Sequence, residues 1–313
     1  TQSGALYIMK EDMPFYLSAT GVPKNDLAPE LVSLIATTSG KNAFSWKNKI
    51  YIPCGAQGLL ETDGTNNAFI QPTVFGNNVP EFVGRVLAVT GDDQYLFITV
   101  DYGSYAYVLA GREELVDGAV GWRWHPICTL TISGVNYMHV SNVYQKRLWI
   151  AGSSTADSIY YIPLPTGYGN MVTDSNRKFT TEGYFYTPYL HGNFRDTPKA
   201  FPLLELNMGH SYSTKKYFTA YYEMQGSTKQ TYIGKFVGTA SNRSPQKYLR
   251  DTTAATPLHP MSRAMRLKIH AHTTTDTGTP ILLGYKLKGI LYPPRRKIIA
   301  CTIRASNEIA SKM

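Results

Sequence analysis

The stretch "MRLKIHAHTTTDTGTPILLGYKLKGILYPPRRK", residues 265–297, decides the fold class. Its first eight residues alternate. Met265, Leu267, Ile269 and Ala271 fall on one face of an extended chain, and Arg266, Lys268, His270 and His272 fall on the other. A helix would scatter the same apolar residues around its circumference, so the period of two predicts a half-buried strand with Met265, Leu267 and Ile269 in a core. Two imidazoles at this spacing raise the question of a metal. Arg266 and Lys268 share their face and carry charge that disfavours both a bound cation and imidazolium formation. The neighbouring sequence offers only Asp276, which would have to fold back over the following turn. An H-x-H pair without a third ligand is a weak signal, so both histidines are expected on the polar side of the strand, with no metal and no cofactor.

Composition extends the all-β reading to the whole chain. The 313 residues are long enough for two cores, charged residues make up only 17%, and 23 Tyr, 26 Gly and 18 Pro punctuate short hydrophobic runs. A net charge of +9 favours an acidic partner surface, but Lys and Arg are dispersed, so specific nucleic-acid recognition is not indicated. Cys54, Cys128 and Cys301 are odd in number and far apart, as buried thiols are and a disulfide framework is not. No apolar run approaches the roughly 20 residues of a membrane span. The ending "SNEIASKM" has no compact character, as expected of a piece of a longer polypeptide.

The first half repeats. "AFSWKNKIYIPCGAQGLLE", "VLAVTGDDQYLFITVDYGSYAYVLAG" and "MHVSNVYQKRLWIAGSSTADSIYYIPL" each hold a strand, a polar turn, an aromatic-rich strand and a further strand, and "SGALYIMKEDMPFYLSATG" resembles the second part of such a unit. Recurrence at this scale is what propeller blades show, because one blade cannot bury both of its faces alone. Residues 1–165 are therefore expected as a propeller-like repeat domain of three to four blades, completed by further N-terminal sequence or closed by another element, with a β-meander without ring closure as the alternative, and residues 166–177 as a Pro/Gly/Asn-rich linker. From residue 178 the spacing changes to about seven strands with polar turns, a β-sandwich inventory over 178–304 with jelly-roll-like character, followed by an extension over 305–313. Within it Phe218, Ala220 and Tyr222 oppose Tyr217, Thr219 and Tyr221, while Ile281, Leu283, Tyr285 and Leu287 oppose Leu282, Gly284, Lys286 and Lys288.

This succession of strands resembles a sandwich domain of tailed-bacteriophage structural proteins, tail and baseplate-associated ones in particular. Thr187 and Pro188 match its opening strand, Lys199 its lysine-bearing segment, and Tyr222 and Gly234 its central strand and turn. Thr279, Pro280, Leu282, Arg295 and Arg296 match its arginine-rich end, although Tyr232 stands where the family often has Trp. The resemblance implies a non-enzymatic virion component, located in the phage tail and assembled in the host cytoplasm. Its partners would be other virion proteins and copies of itself around a symmetry axis, and no catalytic residues carry over.

Two other classes compete. A carbohydrate- or receptor-binding protein would use exposed aromatics as stacking faces for a host surface glycan; Tyr102, Tyr105, Trp122, Arg123 and Trp124 are the candidate ligand or subunit contacts. A glycoside hydrolase would need two carboxylates, one with a raised pKa. Its candidates are Asp63, Asp92, Asp93, Asp101 and Glu182. Asp63 in "ETDGTNN" and Asp92 and Asp93 in "TGDDQY" read as turn residues, which leaves Asp101 the best placed. His125 and Cys128 differ in strand parity and so face apart unless Pro126 bends the path.

Overall fold

The computed structural model describes residues 5–291 other than 13, 19, 25–26, 28–35, 73–81, 117–118, 154–157, 168–172, 210–213, 240–241, 251–257 and 276–277. Asp276, Arg295, Arg296, Cys301 and the extension 305–313 lie outside the described residues. Regular structure among the described residues is strand, apart from a 3-10 turn at Gly55–Gln57 and the 3-10 residue Phe82. The chain divides into two compact units, Thr1–Arg177 and Lys178–Met313. The segment 166–177, expected as a linker, falls in the first unit, where Asp174 is buried against Arg147.

The first unit is a run of antiparallel meanders in sequence order. One holds β1 (Leu6–Ile8), β2 (Phe15–Leu17) and β3 (Pro23–Lys24). The next holds β4 (Phe44–Trp46), β5 (Lys49–Pro53), β6 (Leu59–Thr62) and β7 (Asn67–Phe69). Then come β8 (Arg85–Gly91), β9 (Leu96–Tyr102), β10 (Tyr105–Val116) and β11 (Ala119–Leu130). The last holds β12 (Val135–Ser141), β13 (Arg147–Gly152) and β14 (Ile159–Pro163). Local chemistry sets the hairpins: Lys47 and Asn48 both take positive φ, 46° and 63°, giving the tight two-residue turn whose twist matches the strands it joins.

Three cores join neighbouring sheets. Ile50, Ile52 and Leu60 pack against Tyr7, Met9 and Phe15. Tyr51 and Leu59 pack with Val89, Leu96, Ile98 and Val100. Phe97, Ala106 and Val108 pack with Met138, Leu148 and Ile150. The β8–β11 sheet is thus covered on both faces, which is why "LFITV" (96–100) is continuously buried and apolar at every position but Thr99 rather than alternating.

The second unit pairs two antiparallel sheets over one core. One runs β15-β21-β17-β18, from β15 (Glu182–Tyr186), β21 (Met265–Thr273), β17 (Lys216–Met224) and β18 (Thr231–Phe236). The other centres on β16 (Lys199–Met208), flanked by β19 (Gln246–Tyr248), β20 (Met261–Ser262) and β22 (Leu282–Leu291). Phe201, Leu204, Leu206 and Met208 face Phe218, Ala220, Tyr222, Met265, Leu267 and Ile269 in this core. Met265, Leu267 and Ile269 are fully buried as the alternation requires, each worth roughly 1.5–3 kcal/mol relative to exposure.

Alternation fails in β22, where Leu282 and Leu287 both touch the core and Leu283 is exposed. The pairing explains it: Asn207 faces Gly284 while Met208 faces Leu282, so Leu283 is an extra residue that switches the parity of the strand.

Several residues that carry the family resemblance serve this fold. Lys199 is buried, and its ammonium donates to the carbonyl oxygens of Phe194, Thr197 (2.8 Å) and Arg263 (2.8 Å). Buried Thr187 accepts from Leu267 N at 3.0 Å, and the hydroxyl of buried Tyr222 donates to Arg250 O at 3.1 Å. Each satisfies backbone groups that would otherwise be costly to bury.

Candidate functional site

The five aromatic and basic residues singled out in the sequence do not form one site. Tyr102 and Tyr105 pair across the β9–β10 turn and are exposed. Trp122 pairs with Glu113, eight residues along β10 from Tyr105, which is roughly 26 Å of strand. Trp122 and Trp124 are half-buried and stack with ring centroids 5.4 Å apart, and Trp46 and Tyr51 close around Trp122 at 6.2 and 5.9 Å. Their indole N–H groups donate to Glu61 Oε2 (3.1 Å) and Ile70 O (2.7 Å). Gly91 and Gly111 both pair with Leu96, and a Cβ on either would collide with Trp46 or Trp124, so glycine on each side of β9 makes the furrow in which these rings lie. Both tryptophans are packing residues between the second and third sheets, and only Arg123 of the tripeptide Trp122–Arg123–Trp124 is exposed.

The candidate carboxylates of the first unit are occupied. Asp63 accepts from Thr65 N (2.8 Å) and Asn66 N (2.7 Å), and Asp92 from Gln94 N (2.7 Å) and Tyr95 N (2.6 Å), which is the turn role expected of them. Asp101 is bound by the Arg85 guanidinium and accepts from Gly103 N at 3.1 Å. A cleft of about 420 Å³ is lined by Asp93, Asn142, Tyr144, Lys146 and Asp174, among others. Lys146 bridges Asp92 (2.7 Å) and Asp93 (2.9 Å), and Arg147 holds Asp174 at 2.8 Å. Hydrogen bonds from Lys146 and Gln94 bring Asp93 down to about 2, and Arg147 lowers Asp174. Neither is suited to donate a proton at neutral pH. Nucleophilic chemistry fares no better. An extra residue in β11 opposite Val108 and Leu109 undoes the parity difference between His125 and Cys128, but burial pushes the Cys128 thiol up to about 12 and His125 lies 4.0 Å from Glu114.

The face with the most available chemistry is the outward side of β15-β21-β17-β18. Pairing sets its rows: Glu182, His272 and Tyr217; then Tyr184, His270, Thr219 and Lys235; then Tyr186, Lys268, Tyr221 and Tyr232; then Arg266 and Glu223. Cations lie over rings throughout, with Lys235 3.7 Å from the Tyr217 centroid, Lys268 4.2 Å from Tyr184 and Arg266 5.0 Å from Tyr186. Arg266 also pairs with buried Glu223 at 2.8 Å, and Tyr189 donates to the same carboxylate at 3.0 Å. Tyr184 and Tyr232 are more than half exposed, at 54% and 53%. His270 and His272 lie here beside Arg266 and Lys268, on the polar side of their strand. Burial, and then the charge of His272, lowers the pKa of His270, against the opposing pull of Glu182.

The sequence reading held half of this face, the alternating 265–272, and of the other half singled out only Glu182, as a hydrolase candidate and not as a neighbour of the histidines. Glu182, Tyr184 and Tyr186 share parity in "EGYFY", a signal available in the sequence, but their partner strand lies far along the chain. Among the described residues no helix is long and apolar enough to cross a membrane. No protein-family model and no curated protein matches this chain.

Proposed function

We propose that the chain is a non-enzymatic structural component of a tailed-bacteriophage particle, packing in the tail or tail tip against copies of itself and other particle proteins. The observation that carries this reading is the outward face of the second unit, where tyrosines and cations interleave over four strands and, among the described residues, no further sheet lies over them. Tyrosine and arginine are enriched where protein surfaces meet, because a rigid ring contributes large contact area with little entropy to lose. Among the described residues β15 and β18 end their sheet, which supports the same reading, since a solitary subunit normally blunts such edges with charge. Asp63, Asp92, Asp93 and Asp101, held in turns and ion pairs, speak against a hydrolase. Within this proposal the successive meanders of the first unit are blades of a propeller, and the two facing sheets of the second are a jelly-roll-like sandwich.

Light scattering on the purified full chain tests it. A multimer is expected, and Tyr184→Ala with Tyr232→Ala is expected to shift it toward the monomer while the melting temperature stays unchanged. A monomer at every concentration sinks the assembly reading. If that monomer binds host-surface glycans and loses them on the same substitutions, the face is a receptor-binding surface instead.

A further inference from the structure

One arrangement on this face is not used by the assembly reading. Pairing sets Glu182 of β15 opposite His272 of β21, and His270 lies two residues along on the same face. Ligand atoms of the three side chains all lie within 4.8 Å of one another. Glu182 Oε2 is 3.4 Å from His270 Nε2, close to the separation of about 3.3 Å between two ligands on a tetrahedral zinc ion. The two imidazoles are neighbours, with ring centroids 4.1 Å apart.

The surroundings fix the ligands. Thr219 Oγ1 engages His272 Nε2 at 2.9 Å, and Tyr217 stacks on the same ring at 4.8 Å with planes 15° apart. The ring is thereby oriented, the way outer groups orient histidine ligands in metal sites. Glu182 is exposed on an edge strand, so its carboxylate has room to close the remaining distance. Of the cations whose charge weighs against a metal in the sequence, Arg266 is paired with Glu223 at 2.8 Å, while Lys268 lies over the Tyr184 ring at 4.2 Å and its charge still reaches His270, so the Glu182 carboxylate has to offset it. Two imidazole nitrogens and one carboxylate suit zinc-class ions, whereas magnesium and calcium require oxygen ligands.

We propose that Glu182, His270 and His272 bind a divalent transition-metal ion of the zinc class on the outward face of the second unit. The ion ties the edge strand β15 to β21 and keeps one coordination position for water or for a group from outside the chain. The site stands whether or not the chain assembles.

The test uses the full chain without a histidine tag, stripped with chelator and titrated with zinc chloride by calorimetry, with cobalt(II) as a spectroscopic probe. Saturation at one ion per chain is expected, with visible cobalt bands of a low-symmetry nitrogen–oxygen shell and a metal-dependent rise in melting temperature. Glu182→Gln and His270→Gln should each weaken binding about tenfold or more, and His191→Gln should leave it unchanged. Glu182→Gln alters only an exposed edge side chain, so it remains informative if a histidine variant fails to fold. Absence of stoichiometric binding, or binding that survives both Glu182→Gln and His270→Gln, overturns the proposal.

Discussion

The β8–β11 sheet of the first unit and the β15-β21-β17-β18 sheet of the second are built from similar residues, and their aromatics end differently. In the first, cores lie on both faces, so Trp122 and Trp124 become filling between sheets and their N–H groups are held by Glu61 and the Ile70 carbonyl. In the second, a single core covers a single face, and Tyr184, Tyr232 and the two histidines remain on the surface beside Lys268. Whether an aromatic is a contact group or a packing group therefore depends on how many faces of its sheet are covered. Residue type alone does not decide it.

The largest expected effect breaks or confirms the doubly covered sheet. Phe97 is 2% exposed and packs in the core shared with the β12–β14 sheet, so Phe97→Ala should destabilise the first unit by about 3–5 kcal/mol. Urea unfolding followed by tryptophan fluorescence measures it, since all four tryptophans lie in that unit. A loss as small as that of a surface substitution would mean that this face is not covered as described.

Next comes the polar fastening of the second unit. Lys199→Met keeps the aliphatic volume but leaves the Phe194, Thr197 and Arg263 carbonyls without their donor, at about 2–3 kcal/mol. Circular dichroism of the second unit's unfolding transition checks this, and an unchanged transition would show that water replaces the ammonium.

The smallest expected effect separates the units by pH. Donors from the Asn66 backbone and side chain and then Thr65 hold Asp63 at about 2, and Lys146 with Gln94 holds Asp93 at about 2, against an ordinary 3.8. The native state binds these protons less tightly than the unfolded chain, so the stabilisation is complete above pH 3.8 and is lost as pH falls from 3.8 towards 2. Thermal melts across that window should show the first unit weakening, with a shallower slope in the Asp63→Asn, Asp93→Asn double variant. Equal slopes in parent and variant would remove these two turns from the acid response.

How legible was this in the sequence? Alternation over 265–272 gave the strand, its core residues and the polar placement of the histidines, because side-chain direction along an extended chain is set by backbone geometry within a few residues. The turn roles of Asp63 and Asp92 were equally legible, since a carboxylate reaching backbone donors two or three positions on is a local event. Parity misled wherever one extra residue intervened, at Leu283 in β22 and between His125 and Cys128 in β11, and only the pairing reveals such a residue.

The sequence by itself determined that this protein is all-β, where many of its turns lie, and which residues of β21 face a core. Tertiary structure decided that Trp122 and Trp124 are covered, that Tyr184 and Tyr232 are not, and that Glu182 meets His270 and His272. The reason is the range of the forces involved. Backbone sterics and turn hydrogen bonds act over two to four residues, whereas strand pairing and burial join residues at any separation along the chain and leave no local mark on either partner.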